Sequence, residues 1–349
     1  MNISFLLGAG FSIAAGYPTA KQLSEYIVHT SGHDFYIGAG NLLRRPQNIP
    51  YQKFEMIPFE NLLSLIRFYS YAHCNQFNYE HFYDFYAKLW HLSDSLACTE
   101  LDTKIKAFNL LYQQLLCFYL DEAEKKANEY LGQYAYFKNF VLENQAQNKI
   151  YIHTLNHDTL VERILETQYS DGFSTDNSLF LCDKKIIPMF SNENFQGNVL
   201  LYKLHGSLDR YRFTYQNDIM KYEYIKVPLQ QGINLENIRN RNDIDKPCLQ
   251  CLVPDFLTGS VIKIQRYQEP FYQFQIAKFK ENLCGSDKVY ILGYGGRDKK
   301  INDYLLECAK DKQIYIVDPY PNDDLRKLSK MLGEKSQIIR QKAEIYKFN

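Results

Sequence analysis

Three polar side chains could do chemistry together, although they lie far apart along the chain. Asn156 and Asp158 directly follow the apolar run Ile150–Leu155, and His205 directly follows Val199–Leu204. An amide, a carboxylate and an imidazole suit cleavage of an N-glycosidic bond in a nucleotide. A carboxylate stabilises an oxocarbenium-like transition state, an imidazole with a near-neutral pKa serves as base, and an amide orients a ribose or the attacking water. Two glycine clusters offer the grip such a reaction needs. Gly8-Ala9-Gly10 follows the run Ile3–Leu7, and Gly293-Tyr294-Gly295-Gly296 follows Val289–Leu292. Each allows backbone N–H groups to approach a phosphate closely. The first spacing is not a dinucleotide fingerprint, because the glycine after Gly10 is Gly16. By itself Gly8–Gly10 reads equally well as a plain tight turn, and a lone histidine at a strand end is more often a structural hydrogen-bonder. Asp318, after the run Ile314–Val317, suits ribose hydroxyls or an adenine edge.

The apolar runs are the elements that must bring these groups together. All five are short and nearly continuous, as expected of strands buried on both faces of a parallel sheet. Each passes directly into Gly, Asn, Asp or His, and open α/β sheets bind ligands at the carboxyl ends of their strands. The fold expected is therefore α/β, a Rossmann-like parallel sheet. Residues 59–144 carry helical spacing, as at Phe59, Leu62, Leu63 and Ile66, and are almost free of Gly and Pro. They are expected to form a helical insertion subdomain between the first and second strands, with residues 1–58 and 145–349 making the nucleotide-binding domain. Tyr79, Phe82, Tyr83, Phe85, Tyr86 and Trp90 crowd one part of the insertion and suit either core packing or a subunit interface. Residues 31–58 read as a long surface connection or a lid over the first glycine turn. An edge strand is expected over Ala343–Phe348.

Composition narrows the classes. Among 349 residues, 40 Lys and Arg balance 40 Asp and Glu, which favours neither a nucleic acid nor a membrane surface as partner. No apolar stretch approaches the ~18–20 residues of a membrane span, and the first run lacks the basic flank of a signal peptide. A cytoplasmic location is expected, and with it reduced cysteines. Of the eight cysteines only Cys248 and Cys251 form a C-x-x-C. A structural zinc site needs a second pair, so no metal is expected.

Taken together, the motifs resemble the sirtuins. Gly8-Ala9-Gly10-Phe11-Ser12 with Gly16-Tyr17-Pro18-Thr19 is similar to the first sirtuin motif, and Thr154-Leu155-Asn156-His157-Asp158 to the motif of the catalytic-pocket Asn and Asp. Lys203-Leu204-His205-Gly206-Ser207 is similar to the motif around the catalytic His. Gly293-Tyr294-Gly295-Gly296-Arg297-Asp298 resembles the later glycine motif of the bacterial sirtuin-like branch. Two features of deacetylase sirtuins are missing: the acidic, aromatic and arginine residues after the first motif's proline, where Thr19-Ala20-Lys21 stands, and the paired zinc cysteines. The resemblance therefore points to the zinc-less sirtuin-like enzymes of bacterial anti-phage (abortive infection) systems, which hydrolyse NAD to nicotinamide and ADP-ribose. It implies that His205 activates water, Asn156 places that water or the nicotinamide ribose, and Asp158 assists at the ribose. Gly8, Ala9, Gly10 and Thr19 would hold the phosphates, with Phe11, Ser12, Gly293, Tyr294, Gly295 and Asp318 completing the NAD site. Unchecked NAD hydrolysis would kill its host, so control is expected through a homo-oligomer or through a partner such as a HerA-type ATPase or an Argonaute-like protein. A non-catalytic NAD- or ADP-ribose-binding scaffold and a deacylase or ADP-ribosyltransferase are the competing readings.

Overall fold

A computed structural model describes residues 1–38, 41–95, 99–176, 178–182, 185–215, 218–227, 237–241, 243–250, 253–259, 263, 266–310 and 312–348. The chain divides into two compact units. One comprises Met1–Tyr17, Glu124–Phe256 and Tyr267–Asn349, the other Pro18–Ala123 and Leu257–Arg266.

The first unit is built on a six-stranded parallel sheet: β1 (Asn2–Leu7), β2 (Lys149–Thr154), β3 (Val199–Lys203), β4 (Lys288–Leu292), β5 (Gln313–Val317) and β6 (Ser336–Ile339), in the spatial order β6-β5-β4-β1-β2-β3. The five apolar runs are its first five strands. Their central residues are buried on both faces, as with Ile3, Phe5, Ile152, Leu201, Ile291 and Ile316. That burial is why they lack the alternation of a half-exposed strand. The register aligns their carboxyl ends. Leu7 pairs with Thr154 and with Leu292, Thr154 with Lys203, and Leu292 with Val317. The residues that follow these pairs therefore leave the sheet along a single edge.

Two expectations near the sheet are corrected. The sixth strand is Ser336–Ile339 rather than the segment around Ala343–Phe348, where Ala343–Ile345 forms a 3-10 turn and Phe348 packs against Phe5, Phe140 and Tyr290. Residues 169–198, irregular in sequence, and 210–258, mixed with strand-like alternation at Tyr211, Phe213 and Tyr215, contribute an eight-stranded antiparallel sheet in which Arg210–Tyr215 lies between Asp218–Lys226 and Asp243–Gln250. That sheet has its own core, including Phe180, Phe213, Ile225 and Ile238.

The second unit is largely helical, with Ala20–Val28, Ile57–Ala72, Tyr79–Ser95 and most of Thr99–Glu124. The stretch read as a loop over 31–58 holds an antiparallel pair, Phe35–Gly38 with Asn41–Arg44. The aromatic cluster packs inward: Phe82 is fully buried among Tyr69, Phe85 and Tyr112, and Tyr83 and Tyr86 are also buried. The side chain of Trp90 lies outside the described residues.

Cysteine chemistry also differs from expectation. Cys284 and Cys308 form a disulfide with Cα atoms 4.4 Å apart. The helices Pro270–Gly285 and Lys299–Cys308 pack together and end side by side, which brings the two thiols into reach. Cys182 is buried outside any disulfide, as a small core residue. Cys98 and Cys251 lie outside the described residues.

Candidate active site

The two glycine turns meet in backbone contact at the end of β1 and β4. Gly8 N–H donates to Leu292 O (3.0 Å), Gly10 N–H to Gly293 O (2.9 Å), and Phe11 N–H to Gly8 O (2.9 Å). A Cβ on Gly8 would lie 2.6 Å from Gly293 O, and one on Gly293, whose φ is +61°, would lie 2.2 Å from Phe11 N. Glycine is thus required because one main chain crosses another. This changes the reading of the first turn: the N–H groups of Gly8 and Gly10, expected to face a phosphate, are bonded to the second turn. Phe11 is fully buried against Tyr134 and Phe137, and its carbonyl accepts from Tyr134 Oη (2.7 Å), which gives it a packing role.

Asn156 is fastened to that floor. Its Nδ2 donates to Gly8 O (3.0 Å) and to Ser12 Oγ (2.9 Å), while its backbone N–H donates to Thr154 Oγ1 (3.0 Å). Both amide protons are therefore committed, and Oδ1 is left as the acceptor. Asp158 also hydrogen-bonds Ser12 and accepts from Leu160 N–H (3.1 Å). Its carboxyl is pushed up to about 6, chiefly by burial; the Lys203 ammonium opposes the rise and the Glu124 carboxylate adds to it. Lys203 itself is fully buried, bonds the carbonyl of Asp158 and pairs with Glu162 at 3.1 Å. Glu124, at the end of the long helix Thr99–Glu124, gathers Tyr17 Oη (2.6 Å), Thr159 N–H (3.2 Å), the Thr159 hydroxyl and Arg163 Nη2 (2.7 Å).

His205 leaves β3 beside this loop, since Asn156 and His205 each stand two residues beyond the Thr154–Lys203 pair. Its Nε2 lies 2.8 Å from Tyr267 Oη and 3.5 Å from Asp298 Oδ2. The hydroxyl and the carboxylate at this imidazole nitrogen fix the orientation of the ring. The Asp298 carboxylate also caps the helix Lys299–Cys308 through Ile301 N–H (3.2 Å), and its backbone N–H donates to Tyr294 Oη (3.1 Å). His205 is thereby tied to the second glycine turn. It joins the Asn156 loop through His157, whose carbonyl accepts from Leu208 N–H (2.9 Å) and Ser207 Oγ (3.3 Å). Behind the loop, the fully buried Arg210 pairs with Asp171 (3.2 Å), which also holds Lys226 (2.7 Å). These ion pairs anchor the chain where it passes from the parallel to the antiparallel sheet.

The remaining expected residues fall in three places. Ala9 opens the short helix Ala9–Ser12, within the first turn. Gly295 and Asp318 lie on the β4–β5 side of the edge. There Gly295 O accepts from Asn322 Nδ2 (2.9 Å), and the half-buried Asp318 accepts from Tyr320 N–H (2.7 Å), its carboxyl raised by burial. Thr19 belongs to the second unit, where it caps Ala20–Val28 in a capping box with Gln22. Glu124, Arg163, Lys203, Tyr267 and Asp298 complete the site and were not singled out from sequence. Lys203 and Asp298 stand inside motifs that were noted, whereas Glu124, at a helix end, and Tyr267, in the turn before Pro270–Gly285, carry no local signal. Among the described residues, no group of three or more His, Cys, Asp or Glu is placed to hold a metal ion.

No family model matches the sequence, and no curated protein does. Several solved structures are similar. One is a Sir2 homologue in complex with NAD, 13% identical, aligned over 98% of this chain and 85% of that one with a TM-score of 0.41. Another is a phenylalanine-to-alanine mutant of a Sir2 homologue with ADP-ribose, 12% identical over 98% and 87%, with a TM-score of 0.43. A third comes from work on the mechanism and regulation of Sir2 enzymes, 13% identical over 99% and 88%, with a TM-score of 0.39.

Proposed function

We propose that the chain is an NAD glycohydrolase, releasing nicotinamide and ADP-ribose. The observation that carries this reading is the shared edge: Asn156, Asp158 and His205 leave adjacent strand ends over a floor of two interlocked glycine turns. Asn156 Oδ1, the acceptor left after both amide protons are bound, orients the attacking water or a ribose hydroxyl. His205, held by Tyr267 and Asp298, takes the proton of that water. Asp158, ionised above about pH 6, supplies negative charge to the oxocarbenium-like ribose in the transition state. Ala9, Ser12, Tyr294, Gly295 and Asp318 surround the nucleotide at the edge. Gly8, Gly10 and Gly293 serve by allowing the backbones to close beneath it.

The biological setting proposed is anti-phage defence, with turnover gated by a homo-oligomer or by an ATPase or Argonaute-like partner. This rests on the four motifs and on the absence of the deacetylase residues after Pro18. Nicotinamide release from NAD by the purified chain, alone and with proteins encoded beside it, is the test. Asn156→Ala and His205→Ala are each expected to lower release by 100-fold or more, the range of a lost general base or a lost positioning group. Binding of NAD without turnover in every assembly state would favour the scaffold reading. Consumption that requires an acylated peptide would favour the deacylase.

A further inference from the structure

A cleft of about 370 Å³ opens on the antiparallel sheet, between Met189–Phe190, Asp218–Lys226 and the start of the helix Pro270–Gly285. Its walls include four rings, those of Phe190, Tyr222, Tyr224 and Phe271, and two carboxylates, Glu223 and Glu269. The rings are ordered. Tyr224 and Phe271 stack at 4.0 Å and 13°, and Phe190 stands edge-on to Phe271 at 4.7 Å. Tyr224 Oη donates to Glu269 Oε2 (3.4 Å), which places that carboxylate beside the aromatic wall. The chain already binds one of its own cations with the same groups. The Arg212 guanidinium lies 4.4 Å over the Tyr222 ring and 3.5 Å from Glu269.

Ring faces and carboxylates around a small concavity attract a poorly hydrated cation, through the ring quadrupoles and the acid charges together. A neutral apolar group would forgo the carboxylates. The volume suits a small ligand or one inserted side chain. We propose that this cleft binds an organic cation, an alkylammonium or guanidinium group. The site lies on a different sheet from the proposed NAD edge and goes beyond that reading.

Calorimetric titration of the full chain with choline, with its neutral isostere 3,3-dimethylbutan-1-ol and with the capped tripeptide Gly-Arg-Gly tests this. Choline or the tripeptide is expected to bind saturably, and the isostere at least tenfold more weakly than choline. Tyr222→Ala and Glu223→Gln are each expected to weaken cation binding threefold or more. Tyr222 is 44% exposed, so its removal leaves the core intact. Tighter binding of the tripeptide assigns the group to a protein side chain, and tighter binding of choline to a free small cation. Saturable binding of neither cation, isostere binding equal to that of choline, or cation binding unchanged in both variants would overturn the assignment.

Discussion

Asp158 is where burial and reactivity conflict. Its carboxyl ordinarily titrates near 3.8 and in the fold near 6, so the folded state holds its proton more tightly than the unfolded chain does. For an acid with a raised pKa, the fold is favoured fully below about pH 3.8 and loses that advantage as pH rises through 6. Two outcomes follow. Nicotinamide release is expected to climb between about pH 5 and 7 as the carboxylate forms, and Asp158→Asn is expected to abolish that limb along with most of the activity. The same substitution is expected to raise thermal stability at pH 8, by about 2–3 kcal/mol, with the gain vanishing near pH 4. Melting curves across this range decide the point; a variant less stable than the parent at pH 8 would refute the account. Asn156 illustrates a different limit. Its type and position were readable beside the run Ile150–Leu155. That both its amide protons are committed, to Gly8 O and Ser12 Oγ, depends on a turn more than 140 residues away in sequence and could not be read locally.

At the scale of elements, the strands buried on both faces were the most legible. β1 to β5 are dense apolar runs because helices or loops cover both sides, and each run ends in a turn residue. β6 is half exposed and carries Ser336 and Gln337, so its pattern was weak. Of the antiparallel sheet only the alternation at Tyr211, Phe213 and Tyr215 was legible, because several of its other strands are two or three residues long, too short for a period to show. The junction of the two glycine turns makes a sharp prediction. Gly293→Ala places a methyl group 2.2 Å from Phe11 N at a positive φ. It is expected to cost more than about 3 kcal/mol, through strain and the forced separation of β1 from β4. Denaturant midpoints measure this, and a loss below about 1 kcal/mol would show that the turns part freely. The Cys284–Cys308 bond is a second element-level test. Closing a loop with a sequence separation of 24, it is expected to contribute about 3 kcal/mol, so Cys284→Ser should unfold at lower temperature than the parent under oxidising conditions and match it under reductant.

Across the whole molecule, equal numbers of acidic and basic side chains leave no long-range field to recruit a polyanion. Among the described residues no helix is long and apolar enough to cross a membrane. A small set of charges is drawn inside: Lys203, Arg210 and the largely covered Lys226 pair with Glu162, Asp171 and Asp209, where pairing is the condition of burial. Composition could not reveal this, because a charged residue in a sequence reads as solvated surface. If assembly gates the proposed activity, nicotinamide release per chain should rise with protein concentration from nanomolar to micromolar. A constant value would remove self-association as the switch and leave a second protein as the controlling element.

The crossing of the two glycine turns also bears on how such an edge could change over time. Because Gly10 N–H holds Gly293 O, and Asp298, five residues further on, reaches the imidazole of His205, the proposed grip on a ligand and the orientation of the proposed base form a single linkage. A substitution that reshapes the floor for a different nucleotide would also tilt the proton acceptor. New specificities in this scaffold should therefore arise from the surrounding loops, with the crossing itself held constant.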